Sequence, residues 1–366
     1  MDAATGKLRD PGSRMAAYQT LLYADALRYL TLQMTASKAS GHPGGFASQA
    51  EAYAALVYLG QKNIPTEVGH HAPGFYAAMF LDGSLAQMGI HTVSDLRARF
   101  REREGLLGHL SGYIPGLLAP AGPLGQGQHF AMAGALLYPD RLFPVTIGDG
   151  GLGEPYVMSS MIHFHTAFPQ RTNFLPVLVW NGYSQEHHSM ISTLTNAQMA
   201  EYWRGNGFEE VVLVDAKDFD DAQQPGPYVD STQFSLEARL AFAQRVLTEM
   251  ERAIQSALSG HLTVFILKQL KGAGVHAKGS KSHNLYAHHT LDNPDIVAAL
   301  QARALHPAAW ALVRQNCERA AGGPAAKVVV TESIRPLPPL GSLNLTEFSL
   351  GDKQVSTTAI GALVVQ

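Results

Sequence analysis

Short apolar runs rich in β-branched residues alternate along this chain with longer stretches whose apolar positions recur at helical spacing. Residues 142–147, 174–180, 210–214 and 263–269 are the short runs and predict strands. Residues 156–168, 196–206 and 236–259 lie between or beside them and predict helices. That alternation predicts an α/β fold, a parallel sheet covered by helices on both faces. Upstream the pattern is helical only. Residues 15–37 place Leu21, Leu22, Ala26, Leu27, Tyr29, Leu30 and Met34 at helical spacing, and residues 47–59 do the same with Ala52, Ala55, Leu56 and Leu59. Residues 41–45 break these two helices as a glycine-rich loop. Residues 73–81 and 92–103 predict two more helices, the second amphipathic with Asp95 and Arg99 four apart. Residues 105–127 read as a glycine- and proline-rich loop of the length functional loops reach.

Beyond His289 the character changes. Residues 293–315 predict a helix, residues 320–326 are small and flexible in composition, and Arg335-Pro336-Leu337-Pro338-Pro339 reads as linker. The expected organisation is therefore a main domain over 1–322, a linker over 323–354, and the start of a further element over 355–366.

Composition narrows the function classes. The 366 residues are 46% hydrophobic and 16% charged, enough for a large core. A net charge of −3 gives no electrostatic case for nucleic acid or an anionic membrane. With the single cysteine Cys317 no internal disulfide can form, which points to a reducing compartment. No apolar run reaches the length of a membrane span, and the amino terminus carries Asp2, Lys7, Arg9 and Asp10 instead of a signal-peptide core. The expected location is cytoplasmic.

Two strand ends carry the candidate chemistry. Ile147-Gly148-Asp149-Gly150 closes the first predicted strand and Trp180-Asn181-Gly182-Tyr183 closes the second. Residues at the carboxyl ends of neighbouring parallel strands meet in one crevice. Magnesium takes oxygen ligands and commonly shares one or two protein oxygens with a bound phosphate. Asp149, the Asn181 amide oxygen and the Tyr183 main-chain carbonyl could supply the protein's share. Gly148 and Gly150 would let the backbone approach a diphosphate, with the Gly150 N–H aimed at a phosphate oxygen ahead of a helix starting near Glu154-Pro155. Asp-Gly is also an ordinary turn, so the Asn181 partner is what distinguishes the pair.

These residues resemble the cofactor-binding signature of thiamine diphosphate enzymes, and the resemblance is to the transketolase-like group. Ser40-Gly41-His42-Pro43-Gly44-Gly45 is similar to an SGHPG segment of transketolases, and Gly122-Pro123-Leu124-Gly125-Gln126-Gly127 to their GPLGQG loop. Gly69-His70-His71-Ala72-Pro73-Gly74 resembles a segment shared by transketolases, phosphoketolases and the homodimeric pyruvate dehydrogenase decarboxylating component. Asn181-Gly182-Tyr183 is closest to the phosphoketolase form. The resemblance covers residues 16–289 and implies the thiamine diphosphate-binding fold, with thiamine diphosphate and Mg2+ as cofactors. It also implies a homodimer with sites at the subunit interface. Residues 355–363 resemble the first helix of the pyrimidine-binding domain of such enzymes, so that domain is expected to lie outside this chain.

The resemblance assigns roles. His42, His70 and His109 occupy positions of histidines that line the channel to the thiazolium ring, where an imidazole can donate from one nitrogen and accept at the other. Gly122 and Leu124 would offer backbone groups to the aminopyrimidine. His283 matches a loop histidine that touches diphosphate and substrate, although its Gly279-Ser280-Lys281-Ser282-His283 setting departs from the transketolase form. Its neighbours His276, His288 and His289 could suggest zinc, yet no cysteine is near, and the glycines and lysines of residues 271–289 fit a lid over a phosphorylated substrate. Glu154 matches an interface glutamate of a proton relay, or is a helix N-terminal acid facing the dipole. His163 and His165 read as structural.

The implied activity is transketolase-like transfer of a two-carbon ketol unit between sugar phosphates. Phosphoketolase and 2-oxo-acid decarboxylation remain alternatives, since Asn181-Gly182-Tyr183 and Gly153-Glu154-Pro155 pull towards those two. A cofactor-binding subunit inactive without a pyrimidine-domain partner is a further alternative. A Rossmann dehydrogenase is disfavoured, because no G-x-G-x-x-G follows the first strand.

Overall fold

The computed structural model describes residues 11–61, 64–275 and 279–282. The expectations for His276, His283, His288, His289, the 293–315 helix, the linker and residues 355–366 fall outside the described residues.

The chain opens on α1 (Arg14–Ser37), whose N-cap Ser13 accepts the Ala16 N–H at 3.2 Å, and which is buried around most of its circumference. Then come α2 (Pro43–Ala47), α3 (Ala50–Tyr58), α4 (Ala72–Leu81), α5 (Val93–Arg99) and α6 (Gly127–Leu137). The sheet begins with β1 (Phe143–Gly148), followed by α7 (Asp149–Leu152), α8 (Pro155–Ala167) and β2 (Phe174–Trp180). A small antiparallel hairpin, β3 (Tyr183–Ser184) with β4 (His187–His188), leads to α9 (Asn196–Gly205), β5 (Glu210–Asp215), α10 (Leu236–Leu258) and β6 (Thr263–Lys268). The four long strands run parallel in the order β1-β2-β6-β5. Gly148 pairs with Val179 and Trp180 with Lys268, so the carboxyl ends lie level along one edge.

Strand alternation sorts the core into two layers. Leu175, Val177, Val212, Val214, Phe265 and Leu267 pack with α1, α3 and α10, whereas Val145, Ile147, Leu178, Trp180, Val264 and Ile266 pack with α6, α8 and α9. Successive side chains point to opposite faces, so a sheet buried on both sides reads as continuous apolar runs. Each such side chain contributes roughly 1.5–3 kcal/mol by leaving water. Helices on both faces of a parallel sheet match the fold the sequence predicts.

Several local expectations differ. Residues 127–137 form α6, where the sequence predicts no helix. Gly127 and Gly134 obscured it, and each is there for packing: a Cβ on Gly134 would overlap the Phe143 ring, and one on Gly127 would overlap the Thr66 carbonyl. The glycine break at 41–45 is half helix, because Pro43 supplies a helical φ at the start of α2. A four-residue helix, α7, precedes α8 at the Asp149 turn. The helix predicted over 92–103 ends at Arg99, since Arg101 takes a left-handed φ of 57° and its N–H turns back to the Leu106 carbonyl at 2.6 Å. Asp95 does not reach for Arg99; it completes a capping box with Thr92. Among the described residues, no helix is long and apolar enough to cross a membrane.

Candidate functional site

Asp149 and Asn181 leave adjacent strands and meet. The Asp149 carboxylate accepts the Asn181 N–H at 2.7 Å, the Gly182 N–H at 2.8 Å and the Ser189 hydroxyl at 2.8 Å. Both side chains are buried. Burial pushes the Asp149 carboxyl up to about 6, against the three donors and the positive Lys271. Lys271, three residues beyond β6, is itself held down to about 8 by burial, with Asp149 and Glu186 opposing. Its Nζ donates to the Gln185 carbonyl in the β3–β4 turn.

The Asn181 amide has both ends engaged. Oδ1 accepts the Tyr183 N–H at 3.1 Å, and Nδ2 donates to Ser48 Oγ at 3.1 Å. Gly182 turns the chain between them with φ 87°, and the Tyr228 ring covers it at 3.0 Å from where a Cβ would stand. Gly150 meets Ser184 so closely that a Cβ would lie 2.6 Å from its hydroxyl. Tyr183 stacks on His188, ring centroids 4.7 Å apart.

The glycine-rich loops converge on the same edge. His42, at the N-cap of α2, and His70 face each other edge to face with centroids 5.4 Å apart. Neighbouring His71 is buried and bonded through Nδ1 to Gln49 at 3.0 Å. That separates the two: His71 is part of the core, and His70 is half-exposed. His109 is tied in through its carbonyl, which accepts the Tyr76 hydroxyl at 3.1 Å, and its pKa lies below the usual imidazole value because of burial and then Arg101. Ala121 N–H donates to Leu110 at 3.1 Å, so the His109 segment and the Gly122 loop lie side by side. Gly69 packs on Ala121 with no room for a side chain. Gly122 is exposed and Leu124 half-exposed, leaving their backbone open. Glu154 stands at the N-cap of α8 without a capping bond of its own, beside Gly125 of that loop. His163 is exposed on α8 and His187 and His188 are exposed on the hairpin.

Three residues to which the sequence assigned no place beside the Asp149 turn or the Gly122 loop complete the arrangement. Lys271 and Ser189 flank Asp149, and their only sequence trace is position just after a strand or hairpin. Glu67 is fully buried next to the Gly69-His70 segment. Its Oε1 accepts the Gly125 N–H, its Oε2 has no hydrogen-bond partner among the described residues, and a Cβ on Gly151 would overlap it. Burial pushes this carboxyl up to about 7, the backbone N–H groups of Gly125 and Gly148 opposing and Glu154 assisting.

The donor set suits a hard divalent ion shared with a phosphate. Asp149 spends three of roughly four lone-pair positions on protein donors, and the oxygen end of Asn181 keeps a second lone pair. Among the described residues no three His, Cys, Asp or Glu side chains gather as a metal set. An ion here would rely on one carboxylate, neutral oxygens and the ligand's own phosphates, which is a magnesium habit.

A parallel sheet with an acid and an amide at adjacent strand ends, ringed by glycine-rich loops with histidines, is the arrangement expected of the transketolase-like, thiamine diphosphate-dependent group that the sequence resembles. Solved structures agree on the fold: transketolase from Campylobacter jejuni superposes with a TM-score of 0.61 at 20% identity, over 83% of this chain and 46% of that one. Transketolase from Leishmania mexicana gives 0.60 at 19% identity, over 82% and 45%. The chain belongs to the XFP N-terminal domain family, the phosphoketolase group, which it matches over residues 37–235. Among curated relatives, the "Probable phosphoketolase" of Schizosaccharomyces pombe is 25% identical over 158 residues, 41% of this chain and 19% of its own length. That of Thermosynechococcus vestitus is 27% identical over 149 residues, 38% and 18%. The chain thus matches about a fifth of the length of these relatives.

Proposed function

We propose that residues 1–322 form the diphosphate-binding module of an enzyme that cleaves a carbon–carbon bond of a ketose phosphate in the manner of a phosphoketolase, using thiamine diphosphate and Mg2+. The observation that carries this reading is the buried contact of Asp149 with Asn181, beside the buried ammonium of Lys271. Asp149, the Asn181 oxygen and the Tyr183 carbonyl would hold the ion. Lys271 and the backbone at Gly148 and Gly150 would face the diphosphate, and Gly122 and Leu124 the aminopyrimidine. When bound, the cofactor supplies a nucleophilic carbon and an electron sink for the bond that breaks. The chain's own part is to orient and to move protons. His42 and His70, paired edge to face, would hydrogen-bond the donor's hydroxyls and carry a proton to or from its carbonyl oxygen. His109, whose imidazole is held below its usual value by burial and Arg101, can in its neutral form donate from one ring nitrogen and accept at the other.

Membership of the phosphoketolase group and the Asn181-Gly182-Tyr183 string support acyl phosphate as the product. Transketolase-type ketol transfer is the second reading, favoured by the Ser40–Gly45 and Gly122–Gly127 strings. A second copy of the chain would pack against α6 and α8. Phe130, Leu136, Leu137, Tyr156 and Ile162 stand exposed there, and neither helix carries an Asp, Glu, Lys or Arg. Glu154 borders that face and would serve a proton path between copies. A pyrimidine-binding domain supplies the cofactor-activating carboxylate, and the single cysteine fits a cytoplasmic setting. The test is thiamine diphosphate binding with and without Mg2+, followed by xylulose 5-phosphate turnover in phosphate or with ribose 5-phosphate. Acetyl phosphate supports the first reading and a seven-carbon ketose the second; neither product, from the chain assembled with a pyrimidine-binding domain and holding the cofactor, overturns both.

A further inference from the structure

An asparagine serves a cation only through its oxygen, so something must decide which end of the Asn181 amide faces the site. Ser48 is placed to do it. Its hydroxyl is buried and donates its one proton to the Gly45 carbonyl at 2.8 Å. What remains on Ser48 Oγ is lone pairs, and these receive Asn181 Nδ2 at 3.1 Å. A flipped amide would set its oxygen against the Ser48 oxygen with no proton between them, and would turn its NH2 toward the Tyr183 N–H.

Ser48 is itself held. Its carbonyl accepts Gln269 Nε2 at 2.6 Å, and the same nitrogen donates to Glu51 Oε2 at 2.8 Å. Glu51 is in turn ion-paired with buried Arg28 at 2.5 Å. Gln269 follows β6 directly, so the serine is fixed between the sheet edge and the α2–α3 corner. One residue therefore joins the His42 loop to the strand end that carries Asn181.

We propose that Ser48 is a positioning residue for the metal: by accepting from Nδ2 it commits Asn181 to present its oxygen to the divalent ion. The proposal rests on the Asp149–Asn181 clamp described above. Residues that orient a metal's direct ligands typically change its affinity 10–100-fold when removed.

The experiment is calorimetric titration of thiamine diphosphate into the chain at a series of Mg2+ concentrations. Ser48→Ala is expected to raise the Mg2+ concentration for half-maximal cofactor binding about tenfold, with affinity at saturating Mg2+ close to that of the wild type. Asn181→Asp presents an oxygen whichever way it turns, so adding Ser48→Ala to that background should leave the Mg2+ midpoint unchanged or lower it. An unchanged midpoint in Ser48→Ala alone, or an equal rise in both backgrounds, overturns the proposal. Should Ser48→Ala fail to fold, Ser48→Cys carries the test, its weaker acceptor raising the midpoint in the same direction. If the wild type shows no Mg2+-dependent binding, the clamp itself is wrong and the proposal falls with it; binding by the wild type isolates the question of Ser48.

Discussion

Glu67 offers a perturbation whose size follows from its surroundings. The carboxyl is sealed between the Gly125 N–H and Gly151, one oxygen without a hydrogen-bond partner among the described residues, and burial pushes it up to about 7 against 4.5 for the ordinary group. Below pH 4.5 both folded and unfolded chains carry the proton, and there is no penalty. Between pH 4.5 and 7 the unfolded chain releases it while the fold keeps it, so stability falls as pH rises, levelling off above 7. The loss by pH 8 amounts to about 3 kcal/mol. Glu67→Gln never ionises. Its amide nitrogen, placed where Oε2 now lies, carries a constant penalty of about 1 kcal/mol as an unsatisfied donor. The variant should therefore be slightly less stable than the wild type at pH 4.5 and more stable at pH 8. The crossing is measured by urea or thermal unfolding at half-unit pH steps, with a Tm swing on the order of 5 °C across the range. Other titrating groups, Asp149 among them, are common to both proteins and cancel in the difference. A pH-independent difference would mean that Glu67 holds an ordinary pKa. A variant that loses ground as pH rises would mean that the ionised form is the one the Gly125 N–H stabilises.

Further outcomes follow from the site and its surface. Asp149→Ala should weaken thiamine diphosphate binding at fixed Mg2+ by at least about 100-fold while the fold persists, read by calorimetry alongside circular dichroism. His42→Ala and His70→Ala should retain cofactor binding and lower kcat about 10²–10⁴-fold in whichever assembly turns over ketose phosphate, since their role is with the donor; loss of cofactor binding instead would place them against the diphosphate. Ile162→Arg, on the uncharged outer face of α8, should convert a dimer to monomers in light scattering, and an unchanged mass would show that this face is not where copies meet.

Much of the fold was legible because apolar runs and helical periodicity survive in the sequence. β2 matches its predicted bounds, and α8, α9, α10, β1, β5 and β6 lie within two residues of theirs. What periodicity could not reveal was packing at glycine. In α6 the glycines that look like breakers are places where Phe143 and the Thr66 carbonyl press against the helix. Capping was also read too simply: Asp95 serves its own helix start instead of pairing with Arg99. At the site, Asp149 and Asn181 were visible because they end consecutive strands, a feature of chain order. Lys271, Ser189, Ser48 and Glu67 were not, because each reaches the site from a separate segment, and only the folded chain brings them to Asp149, Asn181 or Gly125. His70 and His71 are sequence neighbours, and burial alone tells them apart: His71 is locked on Gln49.

The clamp is tested most directly by titrating thiamine diphosphate into the wild-type chain once with millimolar Mg2+ and once with excess chelator. Saturable binding with Mg2+ that disappears in the chelator is the predicted result. Equal binding in both conditions, or none in either, would contradict the assignment of Asp149 and Asn181 as the ion's holders.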